Sequence, residues 1–477
     1  MHMFKYVLLI SVSIIFSNVD AQPIADKLNA AWQKMMADEQ LQYSTSGICV
    51  MDAQTGKIIF GKNENIGMAP ASTQKIFTTV AAFEALGKDY RYQTNVGYTG
   101  SIDKGKLKGN LIIEGSGDPT FGSWRYASTK AGKQIDVIAT ALKKAGIDTI
   151  GESIVEADKG FDINPVPPDW MWGDMGNYYG AGHWALNWSE NQYDIHLLSG
   201  NTGSPTTLKK NNVAGEEPGD FFDNEVTSGD ANTGDETIIY AAPFADVKLM
   251  QGRISSNKSN FGPISGSASF ADKNALAAIQ NNFVKNKITV LGSTQAVSDK
   301  LLLPDSLMQK MTTIIPLTTI QSPSLDSIVY WFLKKSINLY GEALLRTIGL
   351  EKEGFGSTEN GLKWVDSFYT ANKIDIRSRH MRDGSGLSPT NRVTPTALVQ
   401  ALQLAKTKSW FPYFYDALPV YNDMKLKSGT IHRTKCFAGY HAAKNGKQYI
   451  VSIMVNNYNG STSSLVEKMF AVLDVLK

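Results

Sequence analysis

Ser72 and Lys75 are the residues of this sequence whose types and spacing most directly suggest covalent chemistry. They stand three positions apart in the stretch PASTQKIFTT of residues 70–79. On a helix this spacing places both side chains on one face, and a serine beside a lysine can act as a nucleophile with its general base. The apolar run that follows, as far as Gly87, predicts a buried helix. An N-capping serine and an ordinary surface lysine remain the alternative.

The S-x-x-K spacing recurs in this sequence, so it does not identify a nucleophile by itself. Ser101 with Lys104 and Ser255 with Lys258 show the same spacing, in polar surroundings typical of turns. A chemical role for Ser72 therefore depends on further motifs later in the chain.

A second motif, Ser336-Ile-Asn338, falls at a predicted break between two helices. The first helix is predicted over residues 325–335, and the second is predicted to end at a capping Gly349. Short polar side chains at such a junction can point into a cleft, although helix capping would also explain them. Another S-x-N, at residues 189–191, precedes a strand-like alternation, and we discount it.

A third motif, Lys427-Ser428-Gly429-Thr430, precedes a predicted hairpin whose turn is Asn445-Gly446. On a strand at the edge of a cleft, the Lys427 ammonium and the Ser428 hydroxyl can hold a carboxylate. Gly429 has no side chain, so a substrate backbone can approach it. The alternative is an exposed edge strand on which lysine opposes aggregation.

Length and composition indicate a globular protein of two or three domains. The chain has 477 residues, a net charge of +2 and two cysteines. Near-neutral charge argues against nucleic-acid binding. Cys49 and Cys436 lie in strand-like apolar stretches, which predicts buried free thiols, although a single bridge remains open. We predict no metal site and no cofactor.

The first 21 residues are predicted to be a secretory signal peptide. Lys5 precedes an apolar run over residues 6–16, and Val19-Asp-Ala21 is a plausible cleavage site. The run is too short for a comfortable membrane span. We therefore expect an exported, periplasmic protein with at most peripheral membrane association.

The pattern of elements predicts a catalytic domain interrupted by a long insertion. Residues 88–296 are predicted to be a β-rich accessory region, divided into one module (88–161 and 262–296) and a nested module (162–261). Residues 22–87 and 297–477 would then form one domain around the three motifs.

The three motifs, in this order, are typical of serine β-lactamases and penicillin-binding proteins. PASTQK, the GSGDPT loop, SINLYGE, DGSGLS and KSGT together resemble the D-alanyl-D-alanine carboxypeptidase/endopeptidase family, the class C low-molecular-mass penicillin-binding proteins. The resemblance covers nearly the whole mature chain. It implies an α/β (α+β) transpeptidase-like domain, an antiparallel sheet flanked by helices, with two extra domains inserted.

The resemblance also implies a role for each matching residue. Ser72 would form an acyl-enzyme with the penultimate D-alanine, Lys75 would take its proton, and Ser336 would pass a proton to the leaving amine. Asn338 would bind a substrate amide and steady Lys75. Desolvation and the nearby cation of Lys427 would keep Lys75 neutral.

The remaining implied residues bind substrate. The terminal carboxylate of the peptide would be held by Lys427, Ser428 and Thr430, and the backbone N–H groups of Ser72 and Thr430 would form the oxyanion hole. Asp383 and Ser385 would shape the cleft, and Asp158 would reach the substrate from the inserted region. The implied partners are peptidoglycan peptides, with β-lactam antibiotics as inhibitors.

Three positions depart from the family pattern, and none removes a functional group. Ser428 replaces the commoner threonine, Ile337 a polar residue and Gly341 an alanine. A surface or strand position, rather than a catalytic one, is expected for His432.

Two alternative functions stay open at this point. A β-lactamase would share the acylation machinery but needs a deacylating base, such as a Glu-x-x-Leu-Asn loop, which the sequence lacks. A non-catalytic peptidoglycan-binding protein would use the same cleft. Persistent labelling by a fluorescent penicillin indicates the peptidase, fast turnover the β-lactamase, and no labelling the binding protein.

Overall fold

The computed structural model describes residues 21–130, 132–157, 159–209, 221–301 and 313–477. Most of the predicted signal peptide lies outside these residues. Among the described residues, no helix combines the length and apolar character needed to cross a bilayer. The α-helices are α1 (Ala21–Met36), α2 (Lys75–Leu86), α3 (Lys133–Lys144), α4 (Trp172–Met175), α5 (Ala271–Lys285), α6 (Leu325–Lys335), α7 (Asn338–Glu353), α8 (Thr358–Ala371), α9 (Pro395–Lys406), α10 (Phe411–Ala417) and α11 (Thr462–Leu473).

The strands fall into several small sheets and one larger sheet. Their bounds are β1 (Thr45–Asp52), β2 (Ile58–Lys62), β3 (Gln93–Tyr98), β4 (Ser101–Asp103), β5 (Lys106–Lys108), β6 (Leu111–Glu114), β7 (Thr149–Ile150), β8 (Ile154–Ala157), β9 (Gln192–Leu198), β10 (Thr207–Leu208), β11 (Phe221–Asn224), β12 (Thr227–Ser228), β13 (Ile238–Tyr240), β14 (Val247–Gln251), β15 (Arg253–Ile254), β16 (Phe261–Ser267), β17 (Thr289–Val290), β18 (Thr294–Gln295), β19 (Ile315–Gln321), β20 (Arg379–His380), β21 (Arg392–Val393), β22 (Val420–Tyr421), β23 (Met424–Ile431), β24 (Thr434–Ala442) and β25 (Gln448–Asn456).

The main sheet is antiparallel and has the order β2-β1-β25-β24-β23-β22. Strand β1 pairs with β25 along its whole length, from Thr45 opposite Asn456 to Asp52 opposite Tyr449. The sheet therefore joins segments from opposite ends of the chain.

Both faces of the main sheet are covered by helices, which explains why its strands are apolar along their length. Cys49 and Met51 of β1 face a core that α2, α7 and α9 complete. Ile48 and Val50 face the opposite core, beneath α1 and α11. This alternation is the two-residue period of a strand. Both cysteines are buried and unbridged, as predicted.

Residues after α2 build a second region around two smaller sheets. A five-stranded sheet has the order β18-β8-β6-β3-β19, and a four-stranded sheet the order β17-β7-β5-β4. Helices α3 and α5 share a core with them, in which Ile138 and Ile279 are completely buried beside Ile113 and Ile150. A third group of strands lies between β8 and α5, with its own small core that includes Ile195, Ile239 and Met250.

The predicted division into domains stays a prediction, but two strand pairings bear on its boundaries. Strand β19 pairs with β3, so the sheet of the inserted region includes residues up to Gln321, beyond the predicted boundary at residue 297. Strand β16 pairs with β9, which extends the third group of strands to Ser267, beyond residue 261.

The predicted end of α7 at Gly349 is wrong. The helix continues to Glu353 and is capped by Gly354, whose φ is +82°. Gly349 is buried within the helix, where an added Cβ would lie 2.9 Å from the Gly361 nitrogen of α8. This glycine therefore serves the close packing of two helices rather than a helix end.

Candidate active site

Ser72 lies on a tight turn that leads into α2. Residues Ala71–Gln74 form a 3-10 turn, and α2 begins at Lys75. Ala71 has a φ of +46°, a strained value for a residue with a side chain, and it is completely buried. Ser72 itself is half-buried. The sequence predicted the first turn of a helix here, and the structure tightens that turn so that the serine faces a cleft.

Lys75 is completely buried and donates three hydrogen bonds. Its Nζ lies 2.9 Å from Ser72 Oγ, 2.7 Å from Asn338 Oδ1 and 2.7 Å from the Ser385 carbonyl oxygen. Burial lowers the pKa of Lys75 to about 7, against the opposing influence of the Asp383 and Glu342 carboxylates. A substantial fraction of Lys75 is therefore neutral near neutral pH, as a general base requires.

Ser336 and Asn338 occupy the predicted break between α6 and α7. Ser336 has a left-handed conformation, with φ of +57°, directly after the last residue of α6. Asn338 begins α7, and its side chain bridges Lys75 and the Tyr179 carbonyl oxygen, to which Nδ2 donates at 2.7 Å. The junction therefore places both motif residues against the cleft.

Lys427 is the second buried lysine of the site. Its Nζ donates to Ser336 Oγ at 3.0 Å and to the Ser428 carbonyl oxygen at 2.8 Å. Burial, together with the charges of Lys75 and Lys435, holds the pKa of Lys427 well below its usual range. The predicted desolvation of Lys75 is thus present, and the repulsion between the two lysines acts on Lys427.

Strand β23 brings the third motif beside the Ser72 turn. A Cβ added to Gly429 would lie 2.5 Å from the Pro70 carbonyl oxygen and 3.0 Å from the Ser72 nitrogen. The sequence predicted that the lack of a side chain at Gly429 lets a substrate backbone approach. In the structure, the space that a side chain would fill is instead occupied by the backbone of the Ser72 turn. Ser428 Oγ donates to Tyr421 Oη at 3.2 Å.

Thr430 is exposed and lines the cleft. Lys435, opposite Thr430 in the neighbouring strand β24, donates from Nζ to Thr430 Oγ1 at 2.8 Å. Sequence reasoning missed Lys435, because its connection to the site depends on its pairing opposite Thr430 across the β23–β24 hairpin, which the sequence alone does not show.

Asp383 and Ser385 are completely buried, so the structure does not support direct contact of their side chains with a substrate. The Asp383 carboxylate accepts hydrogen bonds from Gln74, Trp170, Asn391 and two backbone N–H groups of its own loop. Ser385 contributes its carbonyl oxygen to Lys75. Both residues therefore form part of the wall of the site. This agrees with their predicted role in shaping the cleft, but not with direct binding of substrate by their side chains.

Glu342 is a buried acidic group that sequence reasoning missed. Its carboxyl group accepts a hydrogen bond from the Gly384 nitrogen, at 3.1 and 3.0 Å from the two oxygens. Burial and the neighbouring Asp383 raise the pKa of Glu342 to about 8. Glu342 thus anchors the loop that carries the Ser385 carbonyl oxygen.

These elements enclose a cleft of about 920 Å³. His432 also lines it, although the residue is exposed, as expected. Asp158 lies outside the described residues, so its role stays a prediction. Within the described part of the chain, no three histidine, cysteine or acidic side chains are grouped as a metal site. The residues that line the cleft include Ser72, Ser336, Asn338 and Thr430, together with Met171, Tyr178, Tyr179 and Tyr240.

A serine on a tight turn, a buried lysine within hydrogen-bonding distance and an antiparallel sheet flanked by helices together define an acyl-transfer enzyme with an active-site serine. The sequence matches the D-Ala-D-Ala carboxypeptidase 3 (S13) family over residues 28–475, and the chain belongs to that family. The resemblance predicted from the motifs is therefore confirmed, and the protein is a serine peptidase.

Individual relatives cover most of the chain. A D-alanyl-D-alanine carboxypeptidase from an Actinomadura species is 23% identical over 473 residues, covering 92% of this chain and 82% of its own. The D-alanyl-D-alanine carboxypeptidase DacB of Haemophilus influenzae is 25% identical over 493 residues, covering 97% and 93%.

The fold is shared with a solved structure. The crystal structure of penicillin binding protein 4 (dacB) from Haemophilus influenzae has a TM-score of 0.77 and 22% identity, covering 96% of this chain and 98% of the other. The same protein has been crystallised with a β-lactam. The predicted transpeptidase-like fold is thereby confirmed.

Proposed function

We propose that this protein hydrolyses the D-Ala-D-Ala bond of peptidoglycan stem peptides, and the corresponding bond of peptide cross-links, through an acyl-enzyme on Ser72. The observation that carries the proposal is the 2.9 Å contact between Ser72 Oγ and the Nζ of a completely buried lysine. A serine hydroxyl is a weak nucleophile, and a neutral amine at this distance can remove its proton.

In the first half of the reaction, neutral Lys75 takes the proton of Ser72 as Oγ attacks the carbonyl carbon of the penultimate D-alanine. The backbone N–H groups of Ser72 and Thr430 stabilise the resulting oxyanion, and each such donor contributes roughly 3 kcal/mol in other acyl-transfer enzymes. Ser336 gives its proton to the leaving amine and receives in exchange the proton that Lys75 had accepted, so Lys75 is neutral again when the C–N bond breaks. An ester on Ser72 remains, and the terminal D-alanine departs.

In the second half, water attacks the ester carbonyl and gives its proton to Lys75. The C–O bond to Ser72 breaks, Oγ regains a proton, and the shortened peptide leaves with a new carboxylate. Both halves use the same base, which is consistent with the three hydrogen bonds that fix the position of Nζ.

The terminal carboxylate of the substrate is proposed to bind at the exposed hydroxyl of Thr430 and beside Ser428. Lys435 supports this position, because its ammonium group contacts Thr430 Oγ1. Lys427 lies deeper, and its side chain contacts Ser336 rather than the open cleft. We therefore assign Lys427 a supporting role, in which its contact orients the Ser336 hydroxyl for proton transfer.

The same geometry supports acylation by β-lactams, whose strained amide the Ser72 hydroxyl would attack in the same way. The cell-wall substrate supports a location outside the cytoplasm. We propose the periplasm, on the basis of the predicted signal peptide.

The proposal is tested by incubating the purified protein with a pentapeptide that ends in D-Ala-D-Ala and with a cross-linked muropeptide dimer, followed by mass spectrometry. Loss of one alanine shows carboxypeptidase activity, and splitting of the dimer shows endopeptidase activity. Ser72→Ala is expected to abolish both reactions and labelling by a fluorescent penicillin, because it removes the nucleophile. Cleavage that persists in Ser72→Ala would overturn the assignment, and penicillin labelling without cleavage of either peptide would indicate a binding protein.

A further inference from the structure

Arg125 is a cationic residue of the cleft that the proposed reaction does not use. It comes from the inserted region and lines the same cleft as Ser72 and Asn338. Its side chain is 17% exposed, so it is mostly buried but not closed off from solvent. An arginine is always charged at neutral pH, so a partly buried one needs a partner for its charge.

A completely buried carboxylate holds Arg125 in place. Arg125 Nε donates to Glu190 Oε1 at 2.8 Å and to Oε2 at 3.0 Å. Glu190 Oε1 also accepts hydrogen bonds from Ser123 Oγ at 2.7 Å and from Tyr340 Oη at 2.8 Å. Tyr340 lies on α7, two residues after Asn338, so this network connects the arginine to the helix that carries the second motif.

The backbone around Glu190 is strained. Ser189, Glu190 and Asn191 have φ values of +50°, +53° and +53°, three successive left-handed residues of which none is glycine. The side chain of Asn191 fixes this turn, because it accepts from the Trp188 nitrogen at 2.9 Å and donates to the Gly182 carbonyl oxygen at 2.8 Å. Strain of this kind persists where the surroundings enforce it, and it is concentrated at functional sites.

Two indole rings flank the guanidinium group. Arg125 Cζ lies 5.3 Å from the Trp124 ring centre and 5.6 Å from the Trp331 ring centre. The rings restrict the orientation of the guanidinium plane and partly shield it from water. In the part of the chain that the structure describes, all hydrogen bonds of the Arg125 guanidinium are made by Nε, which leaves the hydrogen-bonding capacity of both Nη groups available to a ligand.

We propose that Arg125 recognises a second carboxylate of the substrate, distinct from the terminal carboxylate. The inference rests on the proposed function. A guanidinium group held through Nε presents its Nη atoms in a fixed plane, the geometry in which arginine binds carboxylates. Lys335 adds a further positive charge to the cleft lining, whereas Asp174, the acidic side chain of that lining, is paired with Tyr179.

The second carboxylate can come from either side of the bond that is cut. It can lie on the stem peptide that forms the acyl-enzyme, or on the half of a cross-linked dimer that leaves. The test therefore uses two matched pairs of substrates. One pair consists of peptides ending in D-Ala-D-Ala that carry either a side-chain carboxylate or its carboxamide before these residues, and the other pair has the same exchange on the leaving half of a dimer.

In the substrate pair whose carboxylate binds Arg125, the unmodified protein is expected to cleave the carboxylate form with a kcat/KM about 10- to 100-fold higher than that of the carboxamide form. This is the range typical of a hydrogen-bonded ion pair. Arg125→Gln is expected to abolish this preference. Arg253→Gln is the matched control, because Arg253 is an exposed arginine that pairs with Glu236 outside the cleft, and this variant is expected to retain the preference. Titration with benzylpenicillin counts the folded sites of each variant.

Arg125→Gln leaves the Glu190 carboxylate buried without its partner, which can prevent folding. The double variant Arg125→Gln/Glu190→Gln removes both charges and is expected to lose the preference in the same way. Equal cleavage of carboxylate and carboxamide substrates by the unmodified protein, or a preference that survives in both variants, would overturn the inference alone. Failure of the unmodified protein to cleave any of these peptides would overturn the proposed function and the inference with it.

Discussion

The two buried lysines of the site have different tasks, although their surroundings are similar. Lys75 contacts the nucleophile, whereas Lys427 contacts the Ser336 hydroxyl. Burial lowers the pKa of both ammonium groups, since each loses its hydration. The nearby carboxyl groups of Asp383 and Glu342 partly oppose this effect at Lys75, which leaves its pKa at about 7 rather than lower.

The pH dependence of acylation follows from the protonation of Lys75. Below its pKa of about 7 the lysine is charged and cannot accept the Ser72 proton, and above that value it is neutral. The rate constant for acylation by a fluorescent penicillin is therefore expected to fall by about tenfold per pH unit below this value and to level off above it. Stopped-flow measurements across neutral pH test this profile.

Lys75→Ala supplies the control for that profile. Without the base, acylation is expected to be slow and to lose its inflection near the pKa of Lys75. An unmodified protein whose acylation rate is independent of pH over this interval would remove Lys75 from the role of base.

At the scale of elements, glycines allow the backbone segments around the site to pack directly against one another. Gly429 of β23 and Gly386 of the 383–388 loop both contact the Ser72 turn, and a Cβ at Gly386 would lie 2.0 Å from the Ala71 carbonyl oxygen. Gly341 meets the same loop from α7, where a Cβ would lie 2.9 Å from the Gly384 carbonyl oxygen. The departure of Gly341 from the family's alanine therefore accompanies a close approach of α7 to this loop.

Gly429→Ala is expected to slow acylation by displacing the Ser72 turn. The new Cβ would meet the Pro70 carbonyl oxygen at 2.5 Å, and this atom belongs to backbone that cannot rotate away. A shift of the serine by about 1 Å costs on the order of 100-fold in rate when reacting groups must be aligned. The second-order rate constant for penicillin acylation measures the effect.

Gly446→Ala is a suitable comparison, since Gly446 has a positive φ but no atom within 4 Å of an added Cβ. It lies in the hairpin turn between β24 and β25, away from the serine. Equal acylation rates in the two variants would show that the close contact at Gly429 does not position the turn.

The elements that carry the motifs could be predicted because their signals are local. The apolar run after Lys75 predicted α2, and the polar interruption at Ser336 predicted the junction of α6 and α7. The contributions of Glu342 and Lys435 depend on contacts across loops and strands, which no local pattern records. The S-x-N at residues 189–191 was set aside as a catalytic motif, and its glutamate instead holds Arg125 in the wall of the cleft.

At the scale of the whole molecule, a buried arginine makes several of the hydrogen bonds between α7 and the inserted region. Arg346 of α7 is buried, and its guanidinium group donates to the carbonyl oxygens of Asp162, Asn164, His183 and Gly356. The first three acceptors belong to the inserted region, which also supplies one wall of the cleft. Arg346 thus fixes the wall relative to the catalytic helix.

Arg346→Met is expected to destabilise the protein by about 2–6 kcal/mol, because the carbonyl groups of the buried residues His183 and Gly356 lose their donor at once and each costs about 1–3 kcal/mol. Urea-induced unfolding, followed by tryptophan fluorescence, measures the change in midpoint. Arg377→Gln is the control, since Arg377 is 85% exposed and pairs with Asp375 at the surface, and its midpoint is expected to be unchanged. Equal midpoints in the two variants would contradict this account of Arg346.

The pairing of β1 with β25 has a consequence for the time at which the protein becomes reactive. Ser72 precedes Asn338 by more than half the length of the chain. Strand β1 can pair with β2 early, but its second partner, β25, exists only when residues 448–456 have been made. At typical rates of synthesis the serine waits on the order of tens of seconds for the groups that activate it. During that interval Ser72 and Lys75 have both been made, but Asn338 and the Ser385 carbonyl oxygen, which hold the lysine in place, have not yet joined them. The site is therefore assembled only after nearly all of the polypeptide has emerged from the ribosome.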